Sequence, residues 1–558
     1  MSDILSFKKI VCKNCYKCIR NCPVKSISFS QSQAQIVSDE CVLCGKCVIA
    51  CPQNAKDTIS ELKKVKSFIK SGKTVIASID SAFIANFGGV GIETVKQALL
   101  SLGFADVEEA VVGADMVKWQ YASLVKDKKQ DIVITSCCHS INLLIQKHFP
   151  DCIKYLAGIL SPMQAHCKQI KHKNPDAKCV YIGPCIAKKD EAAAYKDLTD
   201  AVLTFEDLTS WIKESNVSFD HKQLNNTKIF SRYFSLSGGI IKNMPEHSES
   251  YTYITVDGIE NCIEALKEIQ NGKIHNCFIE MNACKGGCIG GPEMDRINTS
   301  IIKSTVSLSC AADDINAPKN ADTSLDLSKE FCRLEPKSSL PSQDEIKNIL
   351  FSMGKTKPSD ELNCGCCGYD TCREKAVAVY NGKSTVDDCL FLAKDLSESL
   401  LDHIIHENPN GVIVIDEFLK IRKINNAAKK LFNIREFSDV SGKQISDWMD
   451  ISDFRQVLNT RNNIINQNTY LDNFDKYVDL TVIYNNDYNM LICFLCDLTQ
   501  YTSFCERKND AIVQTLEIAD QVVQKQMMTV QEIASLLGET AAETKIALTK
   551  LKETLSNE

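Results

Sequence analysis

The strongest constraint on this chain is a spacing. Residues 12–23 read CKNCYKCIRNCP and residues 41–52 read CVLCGKCVIACP. Cys12, Cys15, Cys18 and Cys22 precede Pro23 just as Cys41, Cys44, Cys47 and Cys51 precede Pro52, each run being C-x2-C-x2-C-x3-C-P. Three closely spaced thiolates wrap three corners of a compact metal cage, and the fourth is carried past the turn. The whole chain holds 28 cysteines in 558 residues. The opening stretch MSDILSFKKIVCKNC reaches a cysteine before an apolar signal core forms, and no apolar run approaches the roughly 18 residues of a membrane span. A cytoplasmic protein is therefore expected, in which cysteines are metal ligands or scattered free thiols rather than disulfides.

Composition adds little beyond exclusions. The balance of 64 Lys plus Arg against 71 Asp plus Glu gives a net charge of −7, with no pull toward nucleic acid or an anionic membrane. At 44% hydrophobic and 24% charged the chain is ordinary globular material, and its length suits three or four domains.

The doubled run resembles the bacterial two-cluster ferredoxin pattern, in which the fourth cysteine of each run serves the other cluster. The resemblance implies a module over residues 1–57. Cys12, Cys15, Cys18 and Cys51 would hold one 4Fe-4S cluster, and Cys41, Cys44, Cys47 and Cys22 the other. Paired zinc sites are the alternative, against which the repeated triplets and prolines weigh. Such a module moves single electrons and makes no bonds, so a reacting partner is expected further along the chain.

Residues 58–345 read as an α/β domain. Apolar Ile59, Leu62, Val65 and Ile69 predict a linking helix over 58–71, TVIASID (74–80) a buried strand, and GIETVKQALLSLGF (91–104) a helix closing at Gly103. DIVITS (131–136) runs into Cys137 and Cys138, and KCVYIG (178–183) into Pro184 and Cys185. This alternation predicts a mostly parallel sheet, with functional groups just beyond the carboxyl ends of its strands. Three segments then stand together: TSCCHS (135–140), IGPCIAKKDE (182–191) and EMNACKGGCIGG (280–291). Soft thiolates at Cys138, Cys185, Cys284 and Cys288 suit an iron–sulfur cubane, while buried inert cysteine is the other reading.

These segments resemble, in order, the three signature loops of the iron-only (FeFe) hydrogenases, TSCCP, MPC-x2-K-x2-E and E-x-M-x-C-x2-GC-x2-G. The resemblance covers about residues 1–340 and implies an H-cluster, a 4Fe-4S cubane joined to a two-iron CO/CN dithiolate subcluster. It implies that Cys138, Cys185, Cys284 and Cys288 hold the cubane, with Cys288 bridging to the two-iron centre. Cys137 would relay protons, and Lys188 would donate to a cyanide ligand. Several positions depart from the pattern: Gly183 and Asn282 replace methionines, Lys285 and His139 replace prolines, and Asp80, Ser81 and Ala82 stand where A-P-S is common. In ADMVKWQYASL (114–124), Gln120, Tyr121 and Leu124 fall where the family's proton-carrying acids are expected, and Ala157 where its serine is. A slow active site is expected.

Residues 346–395 resemble a small Fe–S domain of the form CGxCGxxxC…C. A further 4Fe-4S cluster on Cys364, Cys367, Cys372 and Cys389 is implied, with zinc the alternative and REKAVAVYNG (373–382) a helix ending at Gly382. Residues 400–503 resemble a PAS domain, with strands GVIVID, LKIRKI, DLTVIYN and NMLICFLCDLT and a short helix led by Asn425. Cys493 and Cys496 lie on one strand, where residues three apart face opposite sides. In the tail, 506–558, Met527, Val530, Ala534, Leu537, Ala541, Thr544, Leu548, Leu551 and Leu555 follow a 3.5-residue period. That seam serves either a homodimer or a helix packed within the chain.

The expected fold class is thus α/β multidomain: a two-cluster ferredoxin-like module, an α/β H-cluster hydrogenase domain, a small Fe–S domain, an α+β PAS domain and a C-terminal amphipathic helix. The expected function is hydrogenase chemistry of a slow, sensory kind, interconverting H2 with protons and electrons. Its expected partners are a redox protein such as ferredoxin and a signalling protein, with no nucleic acid and no membrane. The alternative is a redox relay of the same fold without the two-iron centre.

Overall fold

A computed structural model describes residues 4–7, 12–30, 33–128, 130–217, 228–295, 300–312, 322, 324–335, 338–537, 549–550, 552 and 554. The chain divides into two compact units, Met1–Ala393 and Lys394–Glu558.

In the first unit each N-terminal cysteine run curls into a one-turn helix, Lys17–Arg20 and Lys46–Ile49. The residues before them, Tyr16 and Gly45, are both left-handed. Antiparallel pairs Ile27–Ser30 with Gln33–Ile36, and Leu5–Phe7 with Lys56–Thr58, brace the two runs.

Seven strands follow: β1 Val75–Ile79, β2 Asp106–Glu109, β3 Ile132–Ile134, β4 Lys178–Gly183, β5 Ala201–Thr204, β6 Thr252–Asp257 and β7 Cys277–Asn282. Every pairing among them is parallel, but they make two sheets rather than one, ordered β2-β1-β4-β5 and β6-β7-β3. The expectation of a single parallel sheet is corrected in this respect. Strands such as β1, buried at all five residues, have no polar face, as parallel strands covered by helices on both sides require. Four helices flank the site: α1 Val111–Asp127, α2 His139–His148, α3 Pro162–Lys173 and α4 Ala187–Ala194. One core gathers Val75, Ile79, Phe83, Val95, Leu99, Val180, Leu203 and Phe205, and a second gathers Ile132, Ile134, Leu144, Ile259, Leu266 and Ile279. A further helix, α5 Cys372–Tyr380, starts on the third member of the last cysteine set and stops before Gly382, whose φ is +67°.

The second unit carries an antiparallel five-stranded sheet, β8 Gly411–Asp416, β9 Ile421–Ile424, β10 Ile464–Leu471, β11 Lys476–Asn485 and β12 Met490–Asp497, ordered β9-β8-β12-β11-β10. Alternation along β12 turns Cys493 into the core and leaves Cys496 half-buried. Asn425 caps the helix Asn426–Leu431, accepting from the Ala428 N–H at 2.9 Å. The closing helix Thr499–Leu537 reaches the start of the expected seam, whereas Ala541, Thr544, Leu548, Leu551 and Leu555 lie outside the described residues. No helix among the described residues is long and apolar enough to cross a membrane.

Candidate metal centre

Because the strands are parallel, their carboxyl ends point the same way within each sheet, and the cysteine-bearing loops leave from those ends. Cys137 and Cys138 follow β3, with Cys138 standing immediately before α2. Cys185 lies between β4 and α4, and Cys284 and Cys288 follow β7. Together with Lys188, Asp80 and Tyr181 these five cysteines line one cavity. The third loop presses close to the chain at Gly287, whose φ is +85° and where a Cβ would stand 2.7 Å from Leu236 C and Ser237 N. Only glycine allows that approach.

The charges round the cavity fit a cationic metal cage. Burial pushes the Cys185 and Cys137 thiols up to about 12 and Cys288 well above the ordinary thiol value. Cys185 and Cys288, so placed, are soft donors that would give up their protons only to a bound metal. Lys188 Nζ donates to Glu191 Oε2 at 2.6 Å and to the Cys137 carbonyl at 3.2 Å. Burial works against its ammonium, yet Glu191 outweighs that and holds its pKa above the usual lysine value. Glu191 is fully buried and also accepts from Lys329 Nζ at 2.7 Å and Ser161 Oγ at 2.9 Å. Burial opposes its ionisation, but Lys188, Lys329 and His139 hold it well below the carboxylate range. His139 pairs through Nε2 with Asp190 Oδ2 at 3.0 Å. Asp80 accepts from Tyr181 Oη at 2.6 Å and Ser235 Oγ at 2.9 Å, and Glu280 accepts the Gly238, Ile240 and Ile241 N–H groups at 3.0–3.1 Å. Lys329 and Ser235 escaped sequence reasoning, since nothing in LSKEF or YFSLSG marks them, and Tyr181 reads in KCVYIG only as part of a buried strand. The strand end at Asp80 was the one available signal.

Tyr121, on α1, reaches the expected proton thiol: its Oη lies 3.1 Å from Cys137 Sγ and 3.2 Å from Ser136 Oγ, and it accepts the Ser136 N–H at 2.9 Å. Ser136 Oγ in turn donates to the Ile159 carbonyl at 2.7 Å. A carbonyl holds no proton to pass on, so this chain ends inside the protein. Ala157 is buried among Met116, Val117 and Ile159, with Leu124 packed against that apolar cluster.

The remaining cysteine sets line cavities of their own. Cys12, Cys15, Cys18 and Cys51 line one of about 430 Å³, and Cys22, Cys41, Cys44 and Cys47 another of about 330 Å³. Each therefore includes the fourth cysteine of the opposite run. Cys44 also lines the large cavity. Helix α2 ties the two regions through Lys147 Nζ, which donates to the Cys41 carbonyl at 2.7 Å. Cys364, Cys367, Cys372 and Cys389, with the additional Cys366, line a cavity of about 370 Å³. Beside it Lys375 is fully buried, donates to Ser384 Oγ and lies 3.6 Å from Asp388 Oδ2. Among the described residues no three His, Cys, Asp or Glu side chains close on the point a single ion would occupy.

Comparison with known proteins gives four matched stretches. Residues 73–292 match the iron only hydrogenase large subunit, C-terminal domain, and residues 4–53 a 4Fe-4S dicluster domain. Residues 360–391 match an Fe-S cluster family, and residues 399–495 the PAS fold. Iron hydrogenase 1 of Clostridium pasteurianum is 24% identical over 46% of this chain and 64% of its own length, so the chain spans less than two thirds of that relative. The periplasmic Fe hydrogenase large subunit of Nitratidesulfovibrio vulgaris is 24% identical over 44% of this chain and 73% of its own. Among solved structures, a variant of the FeFe-hydrogenase of Chlamydomonas reinhardtii is 15% identical over 50% of this chain and all of its own, with a TM-score of 0.41. The chain therefore joins a hydrogenase-like α/β domain to a ferredoxin-like 4Fe-4S domain, a further Fe–S domain and a PAS domain.

Proposed function

We propose that this protein is an FeFe hydrogenase of slow, sensory type, interconverting H2 with protons and electrons. One observation carries the reading: cysteines from three loops far apart in sequence, with Cys137 and Lys188, line a single cavity. Cys138, Cys185, Cys284 and Cys288 would hold a cubane there, with Cys288 bridging to a two-iron CO/CN centre. When bound, that group supplies the iron on which H2 is split or formed. The chain's own residues do the rest. Lys188, kept cationic by Glu191, presents an ammonium to an anionic ligand such as cyanide. Cys137 Sγ holds a proton, because burial keeps its thiol neutral. The cysteine sets at 12–51 and 364–389 would carry three more 4Fe-4S clusters and exchange electrons with a redox protein.

Slowness is argued from the hydroxyl chain that stops at the Ile159 carbonyl. The sensory part rests on the PAS match in the same chain as such a site, which suits passing redox state to a signalling protein, with a homodimer through the closing helix. The test is H2 evolution from a strong reductant after maturation with the synthetic two-iron centre, with infrared bands of CO and CN read on the same sample. Loaded and slow supports the proposal. Loaded and fast makes it an ordinary hydrogenase, and failure to load leaves a redox relay.

A further inference from the structure

Residues 338–393 make polar contacts with the ferredoxin-like segment. Arg20 donates to the Gly365 and Cys366 carbonyls, each at 3.3 Å, and Lys25 Nζ to the Gly368 carbonyl at 3.1 Å. The Phe29 N–H donates to the Lys383 carbonyl at 2.6 Å, and Lys383 Nζ reaches Glu40 Oε2. Gly368, at φ +93°, lies so close that a Cβ would stand 2.9 Å from Ile19 Cβ. Behind these contacts one apolar cluster takes in Ile19, Cys22, Phe29, Cys47 and Tyr369, with Cys18 and Cys367 packed against it. Cysteines of all three accessory sets thus share one packed interior.

Two tyrosines bridge the seam. Tyr16, which lines the cavity of Cys12, Cys15, Cys18 and Cys51, donates through Oη to Asp388 Oδ1 at 3.3 Å, next to Cys389. Tyr369, which lines the cavity of Cys364, Cys367, Cys372 and Cys389, is 2% exposed, and its Oη has no hydrogen-bond partner among the described residues. A buried hydroxyl left unpaired is unfavourable by about 1–3 kcal/mol. Its surroundings include Cys367 and Cys22, and sulfur of a bound cluster is the acceptor that chemistry would place there.

We propose that the contact between residues 16–40 and 365–388, with Tyr16 and Tyr369 at its centre, is the electron junction that puts the Cys364/Cys367/Cys372/Cys389 site in series with the N-terminal sites. The inference rests on the cluster-holding roles given under Proposed function. In series, the third site is the outer terminal: electrons pass between it and the hydrogenase cavity through the ferredoxin-like segment, whose Cys44 lines that cavity. Each crossing moves one electron, breaking and making no bond, and the oxidation of one H2 to two protons supplies two crossings. Electron tunnelling weakens steeply with distance, which favours a route through the one interior that cysteines of all three sets share.

The test is electron paramagnetic resonance on the full-length, cluster-loaded, reduced protein. Expected is a spin–spin interaction, seen as split lines and fast relaxation, between the third-site cluster and a cluster of the N-terminal segment. The splitting is lost in Cys372→Ala, together with one cluster's iron. It is diminished in the double variant Arg20→Ala with Lys25→Ala, which retains its iron. A reduced wild-type spectrum that is the plain sum of non-interacting clusters, at full iron content, overturns the junction and leaves the proposed function standing. Iron content unchanged by Cys372→Ala, with zinc or no metal at the third site, overturns the junction and the third cluster together. The hydrogenase reading is judged separately, from the infrared bands.

Discussion

Lys329 comes from a loop without a motif, yet its side chain is 1% exposed and its ammonium shares Glu191 with Lys188. A buried carboxylate between two ammonium groups is held in place by both, and removing Lys329 leaves Glu191 Oε1 without its close donor in a dry interior, although the pair with Lys188 remains. Lys329→Met is therefore expected to destabilise the first unit by about 1–3 kcal/mol, read by chemical denaturation, and to shift the CN infrared bands by loosening Lys188. Tyr121 offers the opposite kind of test. Its hydroxyl satisfies the buried Ser136 N–H, so Tyr121→Phe should be less stable by about 1–3 kcal/mol. Because the hydroxyl chain ends at a carbonyl, H2 turnover of the loaded variant should be unchanged, whereas Cys137→Ala should lower it with the CO and CN bands intact. A large fall in turnover on removing the Tyr121 hydroxyl would make that chain the proton route after all.

The loop after β7 is the element on which the site depends most. Gly287 cannot carry a side chain without displacing the backbone at Leu236 and Ser237. Gly287→Ala is expected to reduce cluster retention, read as iron per chain, while Gly272→Ala, with open space at its Cβ position, is not. The same loop ends at Glu293, pushed up to about 7 by burial and by Glu206 and Asp207, with Oε2 unpartnered among the described residues. Between about 4.5 and 7 the folded chain keeps a proton here that the unfolded chain has released, so this group's contribution to stability falls as pH rises through that window. Glu293→Gln should therefore match the parent near pH 5 and exceed it by up to about 3 kcal/mol near pH 8, checked by urea unfolding at both. An equal effect at the two values would show that the carboxyl is not held protonated. Several elements were legible beforehand. The run KCVYIG became β4 and GVIVID became β8 with the same bounds, because short apolar runs bounded by turn residues have little else to form. The division into two sheets was not legible. It depends on Ile132 of β3 pairing with Cys277 of β7, a choice made by packing between segments distant in sequence.

At the scale of the molecule, the unit Met1–Ala393 contains the four cavities lined by the cysteine sets described above. A chain ending at Ala393 is expected to keep the iron and sulfide content of the full protein, measured by elemental analysis. Lys394–Glu558 has its own core of Ile413, Ile415, Ile421, Phe454, Val482 and Leu491 and is expected to hold no iron. Iron lost on truncation would mean that the second unit supports a cluster site.

The sequence by itself determined which cysteines in 12–51 and 364–389 fall in sets that line common cavities, because their short intervals are written in the chain. It also carried the three loops at 135–140, 182–191 and 280–291. Only the tertiary structure decided what surrounds them: Lys329 on Glu191, Tyr181 and Ser235 on Asp80, Tyr121 ending at Ile159, and Tyr369 between two cysteine sets. The physical reason is range. Ligand spacing is a local property of the chain, whereas a buried charge or hydroxyl takes its partner from whatever segment packing brings within hydrogen-bond reach.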